Sequence, residues 1–142
     1  MIVSQILREK GDLVFTISPD ETVAQAAVLL DERNVGAMVV LDTRDRVVGI
    51  ISERDVVRVI ARDGASGLGS PVSGCMTSQV IFAAPEETMD DLLGRMTDRR
   101  VRHLPVVKDG RLCGIVSIGD LVKRKIAETE AEAEELKAYI SA

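Results

Sequence analysis

The chain of 142 residues is nearly without aromatic side chains: no Trp, one Tyr and two Phe. Platforms on which the bases of a single strand could stack are therefore scarce. A net charge of −5 also opposes the attraction to phosphate backbones on which duplex binding rests. Both arguments set nucleic acid aside as a partner. Cysteine is as sparse, with only Cys75 and Cys113; they have no metal-ligand spacing and make no disulfide framework. Cys113 lies in an apolar run and reads as a reduced, buried thiol. The single histidine, His103, has no evident nucleophile partner, and no His/Cys metal cluster is present. No apolar stretch reaches bilayer length, and Met1 to Lys10 lacks a signal-peptide apolar region and cleavage site. The expectation is a soluble, cytoplasmic protein with no membrane contact. What is abundant is Val, Ile, Leu and Ala, enough to build one compact domain or two small repeats around a shared core.

The chain repeats itself. Val14-Phe-Thr-Ile-Ser-Pro-Asp-Glu-Thr22 returns as Val80-Ile-Phe-Ala-Ala-Pro-Glu-Glu-Thr88, and Val48-Gly-Ile-Ile-Ser-Glu-Arg-Asp55 returns as Cys113-Gly-Ile-Val-Ser-Ile-Gly-Asp120. Pro19 and Pro85 are 66 positions apart, Asp55 and Asp120 65. Self-similar chains bury one repeat against the next, so a pseudo-twofold axis and two paired clefts are expected.

Each repeat reads strand, helix, strand, strand, helix. Val14 to Ile17 is a short strand, and Thr22 or Asp20 caps the helix that follows. Val23, Ala26, Ala27 and Leu30 form its buried stripe, as Met89, Leu92, Leu93 and Met96 do in the second copy. Ala37 to Leu41 and Val47 to Ile51 make one hairpin. Leu104 to Val107 and Leu112 to Val116 make the other, across Asp109-Gly110. A second helix starts near Glu53 and again near Ile118. Val3 to Leu7 resembles Val72 to Met76, a short leading helix in each copy. The divisions are a first repeat over 1–62, a flexible linker over 63–71 read from its Gly and Ser content, a second repeat over 72–126 and a helical extension over 127–142. Along the last helix, which runs on into the extension, Val122, Ile126, Thr129, Ala133, Leu136 and Ile140 follow a coiled-coil-like 4, 3, 4, 3, 4 spacing. The seam serves either as a face packed on its own domain or as a subunit contact.

Ser52-Glu-Arg-Asp55 and Ser117-Ile-Gly-Asp120 carry the chemistry. Each is a capping box at a strand-to-helix junction, with the acid reaching back to the cap. The same geometry lets the carboxylate accept hydrogen bonds from a ribose diol, while Ser and the helix N–H groups suit phosphate. Gly49 and Gly114 let a ligand come close to the backbone. One charge-assisted hydrogen bond gives about 1.5–3 kcal/mol, whereas micromolar affinity needs about 8 kcal/mol. An apolar slot and cationic help must therefore supply the rest. The cations are asymmetric: Arg99-Arg-Val-Arg-His103 precedes the second hairpin, but Arg33-Asn-Val-Gly-Ala37 precedes the first. Arg99 and Arg100 read as a solvated helix end, and His103 reads as either structural or functional.

On the Pro-x-x-Thr-Val/Met helix starts, the hairpin starts and the doubled Gly-Ile-Ile/Val-Ser-x-x-Asp, both repeats resemble the CBS domain, named for cystathionine beta-synthase. Two in tandem form a Bateman module. The resemblance covers residues 1 to 126. It implies an α/β fold (α+β by some schemes) of two β-α-β-β-α repeats packed through their sheets, with a short N-terminal and a long C-terminal helix. It also implies adenosine-containing ligands: AMP first, then ADP, ATP, NAD(H) or S-adenosylmethionine. Carried over, the Asp120 cleft comprises Thr16, Ile17, Val35, Gly36, Ala37, Arg102, His103, Ile115, Ser117 and Asp120, with Arg102 and His103 on phosphates. The Asp55 cleft comprises Phe82, Ile50, Ser52, Arg54, Asp55 and Arg58, and Gly36-Ala37 offers it no charge. The expected role is regulatory, with no catalytic cofactor, a homodimer of pairs and a separate effector protein. A structural assembly protein is one alternative and a nucleotide-processing enzyme a second.

Overall fold

Thr22 and Thr88 begin the first helix of each repeat in the same way. Thr22 Oγ1 accepts from Gln25 N at 3.1 Å and Thr88 Oγ1 from Asp91 N at 3.1 Å, each satisfying a backbone donor that the first turn leaves unpaired. The computed structural model describes residues 1–11 and 13–141. In chain order these form α1 (Val3–Lys10), β1 (Thr16–Ile17), α2 (Val23–Arg33), β2 (Ala37–Leu41), β3 (Val47–Ser52), α3 (Glu53–Asp63), α4 (Met89–Arg99), β4 (His103–Lys108), β5 (Arg111–Ser117) and α5 (Ile118–Ser141). The second hairpin turns on Asp109 and Gly110, both at positive φ (51° and 76°), the left-handed pair that a tight turn between twisted strands requires.

The first sheet is β1-β2-β3, with β1 parallel to β2; the second is β4-β5. The second repeat's expected opening strand is reduced to a single parallel bridge, Ala83 to Val106. The cause is Pro105. In the first repeat Val39 N donates to Phe15 O at 3.4 Å. Pro105 stands at the equivalent place and has no N–H to give.

The predicted flexible linker also differs. Gly64–Gly69 is a 3-10 helix and Gly67 is buried. A methyl group on Gly67 would stand 2.6 Å from Val59 Cγ1, so the glycine serves close contact here and not mobility. A second, shorter 3-10 turn, Val72–Gly74, takes the place of the expected second leading helix.

The leading segments are exchanged between repeats. Val3, Ile6 and Leu7 are buried with Met89, Leu92, Leu104, Val116 and Leu121 in the core of the second repeat. Val72 is buried with Val23, Leu30, Met38, Ile51 and Val59 in the core of the first. The backbone repeats the exchange. Val3 N and Ser4 N donate to Glu87 O and Pro85 O, both at 2.9 Å, while Val72 N and Ser73 N donate to Glu21 O and Pro19 O at 2.8 and 3.0 Å. Sequence similarity groups α1 with the first repeat; its side chains are buried in the second.

α5 is 24 residues long, about 36 Å at 1.5 Å per residue. Leu121 is its only buried residue, and from Ala127 to Ser141 every residue except Glu128 is exposed. The seam therefore does not pack on its own domain: Leu136 and Ile140 are 60% and 73% exposed.

Candidate functional site: two Ser–Asp caps

Each hairpin ends in a serine that caps the following helix. Ser52 N donates to Asp55 Oδ2 at 2.9 Å, Ser52 Oγ donates to the same oxygen at 3.0 Å, and Asp55 N donates to Ser52 Oγ at 3.3 Å. Ser117 N donates to Asp120 Oδ2 at 2.9 Å and Asp120 N to Ser117 Oγ at 3.1 Å. The capping geometry expected from sequence is present in both repeats.

The two acids differ in their surroundings. Asp55 is 6% exposed and has no ion-pair partner among the described residues. Asp120 is bound by Lys10, whose Nζ lies 2.5 Å from Asp120 Oδ2 and donates to Ile115 O at 2.7 Å. Burial pushes the Asp120 carboxyl up, but the Lys10 ammonium and the Ser117 backbone N–H outweigh it and leave it below the ordinary value. Behind this pair, Arg124 Nη1 donates to Asp120 O at 3.2 Å, and Arg124 Nε lies 3.4 Å from Glu9 Oε2. That last contact is electrostatic only, because Arg124 Nε is buried and makes no hydrogen bond. Lys10 was not legible in the sequence. It closes a helix that sequence similarity assigns to the other repeat, and nothing in its own neighbourhood announces the exchange.

His103 pairs in register with Ser117, as Ala37 pairs with Ser52. Ile118 N donates to Arg102 O at 2.8 Å, as Glu53 N does to Gly36 O at 3.0 Å. Arg102-His103 therefore stands to Asp120 as Gly36-Ala37 stands to Asp55. Gly36 also reaches across the pseudo-twofold: a methyl group there would lie 3.6 Å from His103 Cε1 and Nε2 and 4.0 Å from Glu53 Oε1. Burial pushes His103 below its ordinary value of 6.5 and the nearby Lys10 pushes the same way, against Asp120 and Glu53. The imidazole is therefore neutral at pH 7 and offers hydrogen bonds, not positive charge. The Arg102 side chain is exposed.

Of the remaining predicted positions, Thr16 is exposed and Ile17 faces the first core, both in β1. Val35 is half-buried against the same core. Ile115 gives its carbonyl to Lys10. Ile50, in β3, exchanges backbone hydrogen bonds with Thr77 at 3.0 and 2.9 Å. Arg54 and Arg58 are exposed and form no ion pair among the described residues. Phe82 lines a hollow of about 490 Å³ with Arg46, Val47, Ala83, Ala84, Glu87, Val107 and Gly110, and none of Ser52, Arg54, Asp55 or Arg58 is in its walls. No cluster of three or more His, Cys, Asp or Glu that could hold a metal ion occurs among the described residues. Among the described residues no helix is long and apolar enough to cross a membrane.

The CBS-domain family profile matches residues 6–62 and 72–126, two copies over most of the chain. The chain belongs to the CBS-domain family. The CBS pair is 36% identical over 146 residues to the mitochondrial CBS domain-containing protein CBSX3 of Arabidopsis thaliana, covering 97% of this chain and 71% of that one. Its fold is that of the CBS-domain containing protein ATU1752 of Agrobacterium tumefaciens, with a TM-score of 0.85, 43% identity, and 87% and 92% of the two chains covered. The CBS-domain pair of protein MJ0100, solved in complex with 5′-methylthioadenosine and S-adenosyl-L-methionine, superposes with a TM-score of 0.81 at 25% identity, over 90% of this chain and 98% of that one. The two Ser–Asp caps are thus the matching ends of two CBS repeats.

Proposed function

We propose that this CBS pair is a regulatory module that binds an adenosine nucleotide, AMP first, at the Asp120 cleft and passes the bound state to a separate effector protein. The observation that carries it is the Ser117–Asp120 cap with Lys10 and His103 beside it. A carboxylate at a helix start accepts from a ribose diol, the helix N–H groups suit a phosphate, and Lys10 supplies the fixed charge. The adenosine ligands of the MJ0100 pair support the class of ligand. ADP, ATP, NAD(H) and S-adenosylmethionine share the ribose and are the competing candidates. The Asp55 cleft is the weaker site, since its acid has no fixed cation. A ligand acts as a signal only if it binds two conformations unequally. The exposed α5 seam favours a second copy of the chain as the structural partner.

The test is a thermal-shift panel of AMP, ADP, ATP, NAD, NADH and S-adenosylmethionine, followed by calorimetry on Asp120→Ala and Asp55→Ala. At 100 times the dissociation constant a native-state ligand adds about 2.7 kcal/mol, a visible shift in a chain of this size. Asp120→Ala is expected to cost the larger share of affinity. A flat panel overturns the nucleotide reading, and equal losses overturn the ranking of the clefts.

A further inference from the structure

We propose that Lys10 sets a preference for phosphorylated over uncharged adenosine ligands at the Asp120 cleft; the inference rests on the reading of that cleft just given. Three observations carry it.

First, Lys10 is held in place. Its ammonium bonds Asp120 Oδ2 and Ile115 O, and its neighbour Glu9 contacts Arg124 of α5. An ammonium has three N–H groups, so one remains for a ligand oxygen. Asp120 Oδ1 accepts no hydrogen bond among the described residues, which leaves it to a ribose hydroxyl.

Second, the charge around the cleft favours it: Lys10 is the cation bonded to the Asp120 carboxylate itself, whereas Arg124 bonds the Asp120 backbone carbonyl and the Arg102 side chain is exposed. Asp120 is anionic, Glu53 is close to His103 on the other side, and His103 is neutral at pH 7. A 5′-phosphate beside the ribose would face a like charge on Asp120 were Lys10 absent. Like charges a few ångströms apart repel strongly near a protein surface. Lys10 cancels that repulsion. For uncharged adenosine it offers no such gain.

Third, the chain carries its own control. Aligning Val3–Leu7 with Val72–Met76 places Gln79 opposite Lys10. Gln79 is neutral, and Asp55 forms no ion pair among the described residues, whereas Asp120 is paired with Lys10.

The experiment is calorimetry with AMP and with adenosine on the unaltered chain, Lys10→Gln and Lys10→Arg, with folding checked by thermal melt. The unaltered chain is expected to bind AMP at least tenfold more tightly than adenosine. Lys10→Gln should lose about tenfold more affinity for AMP than for adenosine, and Lys10→Arg should keep the preference within about threefold. A preference unchanged in Lys10→Gln overturns the inference and leaves the cleft assignment standing. Failure of the unaltered chain to bind either ligand overturns both. Amine acylation of the unaltered protein, read by mass spectrometry, does not depend on any variant folding. AMP should protect Lys10 more than adenosine does at equal saturation, and equal protection counts against the inference.

Discussion

Leu7 rests directly on Gly114: a methyl group on that glycine would stand 2.6 Å from Leu7 Cδ2. Met76 rests in the same way on Gly49, with its Sδ at 2.5 Å and Thr77 O at 3.0 Å from the corresponding point. The two glycines from which ligand approach is expected are covered by the exchanged segments. Their role is to admit a neighbouring side chain.

Gly114→Ala and Gly49→Ala should each destabilise the fold by about 1–3 kcal/mol, the usual cost of overpacking. Met76 can bend away more easily than Leu7, but the Thr77 carbonyl at Gly49 is backbone and cannot. Urea midpoints within error of the unaltered chain for both variants would show that the segments are not seated on these glycines.

Stability should fall with acid in two stages. Burial and Lys10 hold His103 below 6.5, so below that pH the unfolded chain binds a proton that the folded chain resists. The stability is complete above 6.5 and is lost as pH falls toward the folded value. His103→Asn should flatten this stage. Asp120, and Glu87 through its bond with Arg95, also sit below their ordinary values. Their contribution is present above about pH 4 and disappears as pH drops through their folded values. Lys10→Gln and Arg95→Gln should shrink the second stage. Denaturation midpoints across pH 3 to 8 check both.

A chain ending at Ala127 should keep its melting temperature within about 2 °C, because Leu121 is the only buried residue of α5 and surface changes away from the core cost little. Its assembly state should fall. Light scattering on the two chains decides it, and an identical mass excludes the seam as the assembly contact.

Both thiols should alkylate slowly at neutral pH. Burial raises Cys75, and the Asp55 charge raises it further; burial also raises Cys113. Only the thiolate reacts quickly. Asp55→Asn should speed alkylation of Cys75 severalfold and leave Cys113 unchanged. Equal rates before and after would mean that Asp55 does not act on Cys75.

Much of this structure is written locally. The stripes of α2 and α4, the Thr22 cap, the Asp109-Gly110 turn and the helix starts at Glu53 and Ile118 stand where periodicity and turn chemistry put them, as do both Ser–Asp caps. What was not legible depends on residues distant in sequence. Pro105 removes a bond whose acceptor lies in another segment. Gly67 looks like linker until Val59 is against it. Lys10 reaches Asp120 only because α1 is seated in the other repeat, and no local pattern encodes that exchange. His103 is the middle case. Its position beside Ser117 followed from the hairpin, but its loss of charge follows from burial and from Lys10.

The exchange also defines what a self-sufficient unit of this chain is. A half-length chain with one leading segment and one repeat would carry a donor arm and an uncovered core that it could not join to each other. Two such halves would close every one of these contacts in trans, each arm on the other's core. The internal symmetry of the full chain is therefore that of a reciprocal handshake made permanent by a covalent link, and cutting the 3-10 connection at Gly64–Gly69 should leave the two halves still clasped.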